Sequence, residues 1–141
     1  MPATLIYPTP EDVETAFYKA IVQRDLIALM SVWAEDDEII CIHPTGAHLS
    51  GFAAIQTSWR SILGGSARME IRRQRVARWN GMLISVHHMI EHLHLNKKVN
   101  GPIQATHIYL RGPHGWRLTC RHASPGGAPM LIPEKERRVL H

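Results

Sequence analysis

Ten histidines are the residues of this chain best suited to chemistry. Four lie close together, and strand alternation would place His88, His92 and His94 on one face and His87 on the other. Two histidines on one face of a strand can bind zinc, and imidazole can also act as an acid or base near neutral pH. Because no cysteine or acid stands at the spacing of a known zinc site, we predict no metal here. These side chains are instead expected to face solvent or a partner subunit.

A fifth histidine lies in the last apolar segment of the chain. By strand alternation His122 shares a face with Trp116, Leu118 and Cys120, which predicts that it is buried, either in a pocket or in a subunit interface. Ser124 follows at the strand end and is expected to bond to local backbone. The chain has no Gly-x-Ser-x-Gly elbow, phosphate-binding loop or dinucleotide fingerprint, so no cofactor is predicted.

A basic cluster lies in the middle of the chain, which has a net charge of +4. Alternation would place Arg73 and Arg75 on one strand face and Arg68, Arg72 and Arg78 on the other. Surfaces that bind single-stranded nucleic acid combine such charges with stacking aromatic rings, and none is interleaved here before Trp79. The cluster therefore predicts a solvated or subunit-facing strand, and no nucleic-acid partner.

Three helices are predicted in the first half of the chain, where they would position these residues. Thr9 is a suitable N-cap, and an apolar stripe with three- and four-residue spacing continues from Pro10 to about Gln23. Asp25 caps a second, shorter helix. The third is predicted over 52–63 and ends at two glycines.

The rest of the chain reads as strands. They are predicted over 38–43, 68–79, 82–95, 103–111 and 116–122. Asn80-Gly81 indicates a tight hairpin between the second and third of these, and 124–141, rich in proline and glycine, is expected to form an extended arm. Helices followed by a meander of long strands indicate an α+β fold, in which a twisted sheet curls around the helices and leaves a pocket.

Length and composition favour one globular domain spanning residues 1–141. The two cysteines, Cys41 and Cys120, lie in apolar runs and are expected to be free thiols, although a disulfide between their strands remains open. The N-terminus does not resemble a signal peptide, and no apolar run is long enough to span a membrane. A soluble protein in the reducing cytoplasm, with no membrane partner, is therefore the expectation.

Three segments carry more specific patterns. They are 25–37, a helix with an acidic exit; 43–51, in which His-Pro-Thr-Gly precedes Leu-Ser-Gly; and 115–125, which begins Gly-Trp-Arg-Leu-Thr-Cys. Their order and spacing resemble the SnoaL-like branch of the nuclear-transport-factor-2-like superfamily, and the likeness covers nearly the whole chain. A more distant likeness is to the association domain of calmodulin-dependent kinases, which ends with a similar Trp, His and Ser pattern.

The resemblance implies a cone-shaped α+β barrel of the cystatin-like type, with three N-terminal helices packed on a curved antiparallel sheet. It also implies a homodimer formed through the outer face of that sheet. It implies no single activity, because ketosteroid isomerases, polyketide cyclases, dehydratases, limonene epoxide hydrolases and non-catalytic binding domains share this fold.

Two histidines occupy the catalytic positions that the resemblance implies. The general base would be His43, directly before Pro44, and the second acid would be His107; both positions are carboxylates in the isomerase and cyclase branches. His43 would abstract a proton and His107 would stabilise the developing enolate. Glu91, if it points inward, could orient His107.

The predicted pocket holds five further side chains besides this catalytic pair: Tyr18, Trp33, Trp59, Glu91 and His122. Tyr18 corresponds to the donor tyrosine of the isomerases, and the tryptophans are otherwise expected to be core residues. Two functions stay open. One is proton transfer on a small apolar ligand, and the other is a non-catalytic small-molecule-binding or dimeric assembly domain. An open pocket containing both histidines would favour the first, and a pocket filled by its own side chains the second.

Overall fold

Residues 5–126 are described by a computed structural model, in which three helices lie against one six-stranded sheet. The elements in chain order are α1 (Pro10–Val22), α2 (Leu26–Ser31), β1 (Ile40–Ile42), β2 (His48–Ser50), α3 (Phe52–Leu63), β3 (Met69–Asn80), β4 (Ile84–Leu95), β5 (Lys98–Gly112) and β6 (Gly115–Pro125). The strands are ordered β2-β1-β6-β5-β4-β3 across the sheet. Most of the predicted C-terminal arm lies outside the described residues.

The first two helices begin at the capping residues that the sequence predicted. Thr9 and Asp12 form a reciprocal capping box at the start of α1, and the Asp25 side chain accepts a hydrogen bond from the Ala28 N–H at the start of α2. The bounds of α3 match the prediction. Trp33 lies just beyond the end of α2, where it forms an isolated bridge with Leu118 of β6.

The sheet contains the predicted antiparallel meander, β3 to β6, but it is mixed rather than wholly antiparallel. β1 pairs with β6 in parallel, because the chain reaches β1 from the helices and extends along the free edge of β6. β2, which was not predicted, then pairs with β1. Hydrogen bonds from the Gly46 N–H to the His43 carbonyl and from the His43 N–H to the Ala47 carbonyl close the turn between them.

Two bulges overturn assignments made from strand alternation. An extra residue in β3, between Arg75 and Ala77, moves Arg78 to the same face as Arg73 and Arg75. An extra residue in β6, between Leu118 and Cys120, separates His122 from the buried Trp116 and Leu118. His122 is therefore exposed, and it does not share the buried face that the sequence predicted for it.

The core lies between the helices and one face of the sheet. Side chains of α1, including Val13, Phe17 and Ile21, are fully buried there with Tyr109 and Leu118. We call the opposite side of the sheet the outer face. On strands β1, β4, β5 and β6 this face includes the apolar residues Ile40, Ile42, Ile84, Val86, Ile90, Val99, Ile108, Leu110 and Cys120, and the polar residues His88, His92, His94, Gln104, Thr106, Arg117, His122 and Ser124.

The cysteines agree with a simpler expectation. Cys41 and Cys120 are free thiols, and Cys41 points inward whereas its neighbour in the parallel pair, Cys120, lies on the outer face. Burial raises the pKa of the Cys41 thiol to about 11. Within residues 5–126, no helix is long and apolar enough to cross a membrane.

Candidate functional site

His107 lies at the centre of the sheet's inner face and is completely buried under α1. Its Nε2 is 3.0 Å from Nη1 of Arg121, and its Nδ1 is 2.7 Å from the hydroxyl of Tyr109. Because a guanidinium can only donate, Nε2 must be the unprotonated nitrogen, so Nδ1 carries the hydrogen and donates it to Tyr109. Both ring nitrogens of His107 are therefore engaged within the protein.

Burial and charge both keep this imidazole neutral. Burial lowers the pKa of His107 well below its ordinary value, and the nearby charge of Arg121 lowers it further. The ring also packs against aromatic side chains of α1, edge-on to Phe17 with centroids 4.9 Å apart and stacked on Tyr18 at 5.9 Å. His107 is thus held as one tautomer in one position.

Arg121 forms a buried two-point ion pair with Glu91. Nη1 and Nη2 of Arg121 lie 2.7 and 2.9 Å from the two carboxylate oxygens of Glu91. The Tyr18 hydroxyl donates a third hydrogen bond to the same carboxylate. Glu91 is on β4 and Arg121 is on β6. The strand register places the small side chain of Ala105, on the intervening β5, between them. Glu91 therefore points inward as predicted, but it binds Arg121 rather than His107.

The ion pair keeps both of its partners charged. Burial opposes the ionisation of Glu91, but the charge and hydrogen bonds of Arg121 hold the pKa of this carboxyl below its ordinary value. Burial likewise disfavours the charged guanidinium, and Glu91 more than compensates by raising the pKa of Arg121. Burial and the adjacent Glu91 charge raise the pKa of Tyr18, which stays protonated as the donor.

A second polar cluster is centred on Glu14 of α1, which is also buried. Its carboxylate oxygens lie 3.2 Å from Nε of Arg73, 3.0 Å from Nη2 of Arg75 and 2.9 Å from Nδ1 of His87. Burial raises the pKa of Glu14, but these hydrogen bonds outweigh that effect and hold it well below its ordinary value. Part of the arginine cluster is therefore used to attach α1 to β3.

His43, the predicted base, lies near the end of β1 and contacts α3. Its Nε2 is 2.8 Å from the Ser58 hydroxyl, and its ring meets that of Trp59 edge-on at 5.3 Å. Only 8% of the residue is exposed, and burial, followed by the charge of Arg121, lowers the pKa of His43. No hydrogen bond or ring contact joins it to His107 within the described residues.

The structure brings together some of the predicted pocket residues and separates others. Tyr18, Glu91 and His107 form one network through Arg121. Trp33 and Trp59 are buried, and the indole N–H of each has no hydrogen-bond partner among the described residues. His122 is on the outer face, on the other side of the sheet.

Two cavities lie near this network or at the edge of the sheet. An open groove of about 300 Å³ lies between α1 and β3, and its walls include Tyr18 of the network together with Lys19, Val22 and Arg73. A smaller depression of about 160 Å³ lies at the far end of β3 and β4. Neither cavity is lined by His43 or His107.

Sequence reasoning missed five side chains that contact the predicted residues or form the second cluster: Glu14, Ser58, His87, Tyr109 and Arg121. One signal was available. Glu14 has the same helical phase as Phe17 and Tyr18, so a charge falls on the buried stripe of α1. Arg121 had no such signal, because alternation places it with Arg117 and Thr119 on the face opposite Trp116 and Leu118, and only the bulge in β6 brings it to the inner face.

Comparisons with known proteins place these features in a family. The family model described as SnoaL-like domain matches residues 11–128. A candidate calcium/calmodulin-dependent protein kinase type II association domain from Thiobacillus denitrificans is 37% identical, with a TM-score of 0.81, over 86% of this chain and 98% of its own. None of the curated proteins compared with the chain matches it.

Other solved structures share the fold at lower identity. A candidate dehydratase of the NTF2-like family from Streptomyces avermitilis is 25% identical over 82% of this chain and 92% of its own, with a TM-score of 0.74. A candidate ketosteroid isomerase from Parabacteroides distasonis is 20% identical over 89% and 93%, with a TM-score of 0.69. This chain therefore belongs to the SnoaL-like domain family of the nuclear-transport-factor-2-like superfamily.

Proposed function

We propose that this protein is a non-catalytic assembly domain that associates with a second copy of itself through the outer face of its sheet. One observation carries the proposal. The outer face carries a line of adjacent apolar side chains across four strands, Val86, Ile108, Cys120 and Ile40, with further branched apolar residues beside it, although the three helices pack on the other side. An antiparallel sheet with one face in water normally carries polar residues on that face. A second copy that packs on this face would bury these apolar residues.

The outer face has the composition of a subunit interface. Its central positions carry branched apolar side chains, such as Ile42, Val86 and Ile108, which are only half-buried. At one end of the sheet, Trp79 and Ile84 are 61% and 44% exposed. Contiguous apolar patches of this kind mark interaction sites, and aromatic residues are enriched in interfaces.

The comparisons also support a second copy of the chain as the partner at the outer face. The structure from Thiobacillus denitrificans, 37% identical to this chain, is described as an association domain. Domains of this superfamily generally form dimers. The interior supports a structural role, because His107 has no free ring nitrogen and lies in neither cavity.

The test is the mass of the particle in solution, measured by light scattering after size-exclusion chromatography. We expect the wild type to have at least twice the 16.0 kDa mass of one chain. Replacing Ile108 by Lys puts a charge at the centre of the outer face, and we expect this variant to be a folded monomer. Circular dichroism establishes that it is folded.

Ile27→Lys is the matched control, since Ile27 is 85% exposed on α2 and lies off the sheet. This variant should keep the mass of the wild type. A monomeric wild type at micromolar concentration would refute the proposal, and so would an Ile108→Lys variant that stays associated.

Proton transfer on a small apolar ligand by His43 and His107 is the second candidate function. It is favoured by one observation: the pKa values of both imidazoles are lowered, so both are in the basic form at neutral pH. A ligand would need to enter beside Tyr18, Trp33, Trp59 and Glu91 and to displace Arg121 or Tyr109 from His107.

Titration of the histidine ring signals by NMR, with and without a phenolate that mimics an enolate, tests this second candidate. If it is correct, the signals of both His43 and His107 shift with the phenolate, and those of the exposed His114 do not. Unchanged signals from both inner histidines at saturating phenolate would exclude it.

A further inference from the structure

Three histidines lie in one row across the outer face. The strand register aligns His88 of β4 with Thr106 of β5, Thr106 with His122 of β6, His122 with Ile42 of β1, and Ile42 with His48 of β2. Paired residues point to the same side of a sheet, so all three imidazoles point away from the helices. The row crosses the centre of the apolar surface described above.

No carboxylate faces this row from the strands. Glu70 and Glu91 are the only acidic residues in the six strands, and Glu91 points inward to Arg121. Glu70 is at the start of β3, where its Oε1 lies 3.4 Å from Nε of Arg72. The other charged or titratable side chains on the outer side of the strands are Arg72, His92, His94 and Arg117, and the thiol of Cys120.

One member of the row forms a hydrogen bond that the neutral imidazole can make. His88 Nε2 is 2.6 Å from the Oε1 of Gln104, which can accept its hydrogen. A second proton on the ring would have to be placed on Nδ1, and no carboxylate on the strands is available to pair with the resulting charge. Buried cations without partners are costly, so the row tolerates burial only while it is neutral.

We infer that the histidine row makes the association of two copies dependent on pH, so that mild acid separates them. This inference rests on the proposed function, because the row acts only if the outer face is covered by a second copy. Imidazoles take up protons between about pH 8 and pH 5. Each copy then adds charge to the contact surface, and each already has a net charge of +4. Repulsion and the loss of hydration of the new charges both favour the separated chains.

The experiment is sedimentation equilibrium at pH 7.5 and pH 5.5, at one ionic strength and with a chelator present to exclude bridging metal ions. We expect the dissociation constant of the wild type to rise about tenfold or more at the lower pH, because proton uptake is linked to separation. Circular dichroism at both values confirms that the chains stay folded. This control is needed because His43 and His107 are buried in the neutral form, so acid also lowers the free energy of unfolding.

The double variant His88→Gln, His122→Gln removes the titrating groups at the centre of the row and keeps polar side chains there. It should associate at both pH values with little change in its dissociation constant. His114→Gln, in the exposed turn between β5 and β6, is the control and should respond to pH as the wild type does.

The outcomes separate this inference from the proposed function. A wild type that is monomeric at pH 7.5 overturns both. A wild type that associates equally well at the two pH values overturns the pH dependence alone. A double variant that separates in acid as fully as the wild type also overturns it, because groups elsewhere would then cause the effect.

Discussion

The buried guanidinium of Arg121 is the residue on which most of the inner network depends. It bonds to Glu91 through two nitrogens and to His107 through one of them. A buried pair contributes little net stability, but removing one partner leaves an uncompensated charge in a medium of low polarity. Removal of either partner is therefore expected to lower the stability of the fold.

Replacing Glu91 by Gln tests this dependence. The amide can still accept a hydrogen bond but carries no charge, so we expect the free energy of unfolding to fall by about 3–5 kcal/mol. Urea denaturation followed by circular dichroism measures the change.

Glu70→Gln is the matched control, because Glu70 forms an exposed ion pair with Arg72. Exposed pairs contribute about 0–1 kcal/mol, so this variant should remain close to the wild type. Equal effects of the two substitutions would contradict the role assigned to burial.

At the residue scale, the sequence predicted which side of the sheet a side chain faces better than which residue it contacts. Glu91 was expected to point inward, and it does. Its partner could not be predicted, because Arg121 becomes its neighbour only when β4, β5 and β6 pair in one register with the small Ala105 between them. Such an alignment of three strands is a tertiary property.

At the scale of elements, bulges explain where sequence reasoning failed. Alternation assumes an unbroken two-residue period, and one extra residue reverses the face of every residue after it. The bulge in β6 leaves Leu118 on the inner face and moves Cys120 to the outer face, and the bulge in β3 moves Arg78 to the inner face. Neither bulge has a glycine signal in the sequence. The capped helices, by contrast, were predicted almost to the residue, because their signals are local.

The turn between β5 and β6 depends on Gly115. Its φ of +84° is in the region that favours glycine, and a Cβ placed there would lie 2.5 Å from the carbonyl oxygen of Tyr7. We expect Gly115→Ala to lower the free energy of unfolding by about 1–3 kcal/mol and to loosen the segment at Tyr7. Thermal unfolding and proteolysis near the N-terminus measure the two effects.

Gly112, on the other side of the same turn, provides the comparison. A Cβ there would meet no atom closer than 4.0 Å, and its φ is not positive. Gly112→Ala should therefore be nearly neutral. A loss of stability as large as that of Gly115→Ala would show that the close approach to Tyr7 is not the cause.

At the scale of the whole molecule, the order of helices and meander strands was predictable because periodicity and turn residues mark it. The parallel pairing of β1 with β6 was not, because it joins segments far apart in the chain. The curved six-stranded mixed sheet has two different sides. One carries the buried polar network, and the other carries the apolar outer face with its histidines.

The two edges of the sheet determine whether further strands can be added to it. One edge is β2, only three residues long, and the other is β3, which carries a bulge and a series of arginines. Short strands, bulges and charges at a sheet edge prevent another chain from adding to it by backbone hydrogen bonds. Growth into fibrils or other aggregates is thereby discouraged along both borders, so the proposed association through the outer face would be a closed one.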